Sequence, residues 1–103
     1  MSLEKRIAHY SLEKMKKLIK EGKYRFTFSS RKTIAEDFNL TTEDALEFVL
    51  KLKEGDLYKS MQSNEDESLW QDVYHKNIGR KTAYIKLQIS INNNAIIISF
   101  KQK

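Results

Sequence analysis

The spacing of hydrophobic positions changes near residue 56: helical before it, alternating after it. Leu12, Met15, Leu18 and Ile19 share one helical face between Ser11, a side chain suited to capping a first turn, and Gly22, a stop signal. Lys14, Lys16, Lys17 and Lys20 occupy the other face, and such a lysine stripe is ordinarily solvated. Tyr24 to Phe28 is short and aromatic, which reads as a strand. Ser29 or Ser30 can cap a short helix reaching Phe38. Thr41, with Asp44 three residues on, opens a further helix with an apolar face of Ala45, Leu46, Val49, Leu50 and Leu52, ended by Gly55.

Alternation beyond Asp56 predicts strands at about 56–62, 69–76, 81–91 and 94–102, an antiparallel β-sheet packed by the N-terminal and central helices. The fold class is α+β. Glu65-Asp66-Glu67 reads as a solvated loop and Asn77-Ile78-Gly79 as a tight turn. In 81–91, Ala83, Ile85, Leu87, Ile89 and Ile91 alternate with Tyr84, Lys86, Gln88 and Ser90, so one face is buried and the other polar. Asn92-Asn93 suits a two-residue turn because Asn tolerates positive φ. That turn sets Ile91 opposite Asn94, Ile89 opposite Ile96, Leu87 opposite Ile98, Ile85 opposite Phe100 and, on the polar face, Tyr84 opposite Lys101. Trp70 and Tyr74 share a face and are expected to pack in the core. Lys59 is anomalous: it alternates in phase with Leu57 and Met61, so it reaches the polar face only if its strand is bulged or that face turns to a cleft.

Composition narrows the class. The 103 residues, 40% hydrophobic and 32% charged, suit one small globular domain spanning 1–103. The longest apolar run, Ala95 to Ile98, is too short to span a bilayer, and the first residues lack an apolar signal core, so no membrane contact and residence in the cytoplasm are expected. Zero Cys removes disulfides, thiol nucleophiles and Cys-based zinc sites. His9 and His75 are far apart in sequence and the carboxylates show no ligand spacing, so neither a metal nor a cofactor is expected. Gly22, Gly55 and Gly79 stand singly, which gives no phosphate-cradling loop. A net charge of +5 raises the weight of a polyanionic partner, modestly.

Asp56-Leu57-Tyr58-Lys59-Ser60-Met61, Trp70-Gln71-Asp72-Val73-Tyr74, Tyr84-Ile85-Lys86 and Ile98-Ser99-Phe100-Lys101 together resemble the motility quorum-sensing regulator (MqsR) toxin family. Glu4-Lys5-Arg6, His9 and Lys16-Lys17-Leu18 extend the resemblance over nearly the whole chain. It implies a RelE-like fold and a type II toxin, an endoribonuclease that cuts messenger RNA at short GCU-type sites without the ribosome. It further implies a cognate antitoxin protein, with any DNA contact made only through their complex. The family's functional positions fall on Lys59, Gln71, Tyr84 and Lys101, two of which the hairpin register already pairs. Where the family continues with Arg after the Trp70-to-Tyr74 block, this chain has His75, which bears on RNA affinity and pH response.

Cleaving RNA without a metal requires activation of the 2′-hydroxyl, stabilisation of the phosphorane and protonation of the departing 5′-oxygen. Lys59 and Lys101 are expected to share phosphate stabilisation and proton transfer, Tyr84 to orient or donate, and Gln71 to fix the phosphate or a base edge. Clustering should disfavour charge on each lysine, and a nearby cation should favour tyrosinate at Tyr84. Read without the resemblance, a sheet lysine is usually solvated and Tyr84 a cross-strand packing partner. The alternatives are a noncatalytic nucleic-acid-binding module, or a regulator acting in an antitoxin complex.

Overall fold

Ser11 caps the first helix: its Oγ accepts the Lys14 N–H at 3.2 Å, α1 (Leu12–Lys20) starts there, and Met15, Leu18 and Ile19 are buried. The computed structural model describes residues 3–103. Past α1 the chain turns at Gly22, whose φ of +77° favours glycine, into β2 (Tyr24–Phe26). The next helix, α2 (Phe28–Phe38), begins earlier than Ser29 or Ser30 would place it. Thr27 is the cap, accepting the Ser30 N–H at 3.1 Å while its hydroxyl donates to the Ile98 carbonyl at 2.7 Å. A residue pinned to the sheet thus outcompetes two freer serines. In α3 (Thr42–Leu50), Asp44 N–H donates to Thr41 Oγ1 at 3.1 Å and Thr41 N–H to the Asp44 carboxylate at 3.0 Å, the expected capping box. The helix stops at Leu50 rather than near Gly55. Lys51 and Leu52 N–H donate to the Phe48 and Val49 carbonyls, a tightened last turn, and Leu52 is fully buried. Gly55 lies in a separate 3-10 turn, Glu54–Asp56.

The sheet comprises β1 (Glu4–Lys5), β2, β3 (Leu57–Gln62), β4 (Trp70–Ile78), β5 (Lys81–Ile89) and β6 (Ala95–Gln102), in the order β1-β3-β4-β5-β6-β2. All neighbours are antiparallel except β2, which runs parallel to β6. This is the α+β arrangement expected. The short edge pair of β1 with β3 had no sequence signal.

Ala83, Ile85, Leu87 and Ile89 point to one face and pack with Ile97, Phe100, Met15, Leu18, Ile34, Val49 and Leu52 in a common core. Burying each large aliphatic or aromatic side chain contributes about 1.5–3 kcal/mol, enough to hold the alternation of β5 in one phase. Tyr74 belongs to this core, whereas Trp70 sits at its margin, partly exposed and stacked on His9 with centroids 5.5 Å apart. Among the described residues no helix is long and apolar enough to cross a membrane.

Both β5 turns differ from the sequence reading. Ile78 pairs with Lys81, so the tight turn is Gly79-Arg80, with Gly79 at φ +61° in its first position. At the other end the loop holds three residues, Ile91-Asn92-Asn93, because Asn93 takes φ +58° and Ser90 N–H donates to the Asn94 carbonyl at 2.9 Å. Ile91 is therefore 98% exposed instead of facing Asn94. Near the loop the pairs are Ile89–Ala95 and Leu87–Ile97, one residue off the expected register. A bulge at Ile98, between the Leu87–Ile97 and Lys86–Ser99 pairs, absorbs the extra loop residue. Beyond it, Ile85 meets Phe100 and Tyr84 meets Lys101, as the sequence predicts.

Candidate active site

The sheet face away from the helices is built in rungs. One runs Met61–Gln71–Gln88–Ile96, its middle link the Gln71–Gln88 side-chain bond, the next Lys59–Val73–Lys86–Ser99, and the third His75–Tyr84–Lys101. Successive rungs lie roughly 7 Å apart, two residues along a strand. Lys59 belongs because β3 is bulged: Leu57 pairs with Tyr74 but Lys59 with Val73, leaving Tyr58 as the extra residue. Of the two expectations for Lys59, the bulge is what the chain adopts. It also sends the Tyr58 ring to the polar face, stacked on His75 at 4.4 Å and 19°.

Tyr84 is the hub. The Lys101 Nζ lies 5.3 Å and the Lys86 Nζ 5.8 Å from its ring centroid, and the His75 ring lies 6.1 Å away. Lys59 acts electrostatically on Tyr84, and its Nζ is 5.5 Å from the Tyr58 ring. Lys59, Tyr84 and Lys101 are thus brought together. Gln71 shares the face two rungs from Tyr84, where its Nε2 donates to Gln88 Oε1 at 3.2 Å.

Protonation departs from the sequence-based expectation at two positions. Lys59 donates to Glu4 Oε2 at 2.6 Å, and this carboxylate holds its ammonium above the ordinary lysine range. Neighbouring lysines do not discharge it, because β1 delivers a counter-charge from 55 residues away. Burial pushes the Tyr84 phenol up, and the opposing pull of Lys59 does not outweigh it. Tyr84 is therefore a protonated phenol at neutral pH, fitted to donate. Replacing Glu4 by Gln should lower the Lys59 titration toward the ordinary lysine range, read by NMR of its side chain; an unmoved titration would refute the role given to Glu4.

Sequence reasoning passed over one lysine of this face. Lys86 was placed on it by alternation but given no role, and burial first, then Lys101 and Lys59, hold its ammonium below the usual lysine range. His75 faces Tyr84 directly, and burial, reinforced by Lys103, keeps its imidazole below the ordinary histidine range. Tyr58, 44% exposed with the Arg6 guanidinium 5.3 Å from its ring, presents an aromatic edge beside the lysines. A cleft of about 410 Å³ opens against Tyr58 and His75. Among the described residues no three His, Asp or Glu side chains converge as metal ligands.

A sheet face offering three lysines and a protonated phenol can bind a phosphodiester and exchange protons with it. Residues 7–102 match the profile of the family described as motility quorum-sensing regulator, toxin of MqsA. The mRNA interferase toxin MqsR of Escherichia coli (strain K12) is 35% identical over 101 residues, covering 98% of this chain and 100% of that protein. In class, then, this protein is an endoribonuclease toxin. The chain belongs to the motility quorum-sensing regulator toxin family.

Proposed function

We propose that this protein cleaves messenger RNA at short GCU-type sequences, without ribosome or metal ion, on the open face of its sheet, and that a cognate antitoxin protein of the MqsA kind restrains it in the cytoplasm. The observation that carries the reading is Tyr84 directly opposite Lys101, with Lys59 turned onto the same face by the β3 bulge. In this reading the Lys59 and Lys101 ammonium groups take up charge on the phosphorane, and Tyr84 or Lys101 protonates the leaving 5′-oxygen. Gln71 fixes a phosphate oxygen or a base edge, and the exposed Tyr58 ring receives an unpaired base. The family's designation as toxin of MqsA supports the antitoxin partnership. Any contact with DNA is made through that complex.

The direct test is incubation of the purified protein with naked RNA carrying or lacking GCU, with and without a chelator, followed by mapping of the new ends. Cleavage is expected at GCU, to survive the chelator, and to leave 5′-hydroxyl ends. Uncut RNA would return the protein to a noncatalytic binding role, and cleavage abolished by the chelator would defeat the metal-independent mechanism.

A further inference from the structure

We propose that Lys86 is the group that takes the proton from the attacking 2′-hydroxyl; this rests on the RNA-cleaving reading of the polar face. Lys86 stands at the centre of that face. Its rung lies between the Gln71–Gln88 rung and the His75–Tyr84–Lys101 rung, so an RNA strand running from Gln71 to Tyr84 crosses it. Lys86 is directly opposite Val73, which is fully buried and forms an apolar floor, and its Nζ is 5.8 Å from the Tyr84 ring centroid.

What surrounds Lys86 works against its ammonium form. Around it stand Lys59 and Tyr58 from β3, His75 from β4, Tyr84 from its own strand, Lys101 from β6 and Glu4 from β1. The one carboxylate among them is already bonded to Lys59 at 2.6 Å. Among the described residues Lys86 forms no ion pair. Burial and the two lysines that act on it therefore have no anion to offset them. Lys86 is the more deeply buried of the two and lacks the carboxylate that Lys59 holds, and this divides their work: Lys59 stays charged for the phosphorane, while the Lys86 ammonium is held less firmly.

The step balances. The 2′-oxygen bonds to phosphorus as its proton passes to the Lys86 Nζ, the P–O5′ bond breaks, and the 5′-oxygen takes a proton from Tyr84 or Lys101 in the adjoining rung. The products are a 2′,3′-cyclic phosphate and a 5′-hydroxyl, and proton exchange with solvent resets both groups.

Lys86→Arg keeps the cation but cannot lose its proton at working pH. It should lower kcat on GCU-containing RNA by about 100-fold, the scale of a lost general base, while a 2′-O-methyl version of that RNA binds within about threefold of the wild-type affinity. Lys86→His should recover at least about tenfold of that loss, with its rate rising through the ordinary histidine range near 6.5. In the wild-type protein, NMR of Lys86 should show titration below the ordinary lysine range, a readout needing no variant to fold. Wild-type kcat in Lys86→Arg, a wild-type pH profile in Lys86→His, or an ordinary Lys86 titration would each overturn the assignment. If Tyr84→Phe loses activity while Lys86→Arg keeps it, the role of Lys86 alone fails; if all variants of this face keep wild-type rates, the reading beneath it fails as well.

Discussion

Tyr84→Phe and Lys101→Ala are each expected to reduce RNA cleavage by about 100-fold or more, the usual scale for losing one proton-transfer group or one charge-stabilising donor. The fold should be little affected. Lys101 is exposed near the end of β6, and the Tyr84 ring, which does the packing, survives in Phe. Such changes normally move stability by no more than about 0.5 kcal/mol. The two should also be strongly non-additive, because both act in one rung on one departing oxygen. Single-turnover rates on a short RNA, with a thermal melt of each variant, provide the check. Near-wild-type rates in both would remove the rung from the mechanism, and a large loss of melting temperature would show that its residues are structural.

The legibility of that rung in the sequence has a specific cause. β5 carries strict alternation from Ala83 to Ile89, and burial of the apolar set fixes which side chains face outward. The pairing of Tyr84 with Lys101 follows from counting back from a two-residue turn that the chain does not make. It holds because the added loop residue and the Ile98 bulge cancel before the pair is reached. Nearer the loop the same count fails by one, and Ile91 goes to solvent. A bulge is a tertiary compromise between core packing and loop geometry, so local propensity gives little notice of it. On β3 the notice was indirect: Lys59 on an apolar phase was a conflict that one extra residue resolves.

The protonation states were less accessible to sequence, since they depend on neighbours that pairing alone supplies. Counting lysines suggests that each lowers the next. The carboxylate of Glu4 arrives through a two-residue edge strand with no alternation to announce it, and it lifts Lys59 while leaving Lys86 without a counter-ion. Composition reads charge in bulk, whereas the site is set by which lysine is given the one acid.

That edge strand is anchored by a residue outside the polar face, and its removal should have the largest effect on stability. Asp72 is fully buried beside Ser60 and Leu87, and its two carboxylate oxygens accept the His9 N–H at 3.0 Å and the Tyr10 N–H at 2.9 Å. The Tyr10 hydroxyl adds a bond to the Trp70 carbonyl at 2.8 Å. Hydrogen bonds to a charged group contribute about 1.5–3 kcal/mol each, and unpaired donors left near the core cost further. Asp72→Ala should therefore destabilise the protein by about 3–4 kcal/mol, allowing for partial rescue by water at the part-buried N–H groups. Asp72→Asn, which keeps one carbonyl acceptor, should lose less. Freed of this anchor, the segment through residues 4–10 would hold Glu4 on Lys59 less well, so the Lys59 titration should fall toward the ordinary lysine range in a protein that still folds. Urea unfolding measures the first effect and side-chain NMR below the transition the second. A loss under about 1 kcal/mol would mean that water replaces the carboxylate at little cost, and an unmoved Lys59 titration would mean that β1 holds its place on β3 without Asp72.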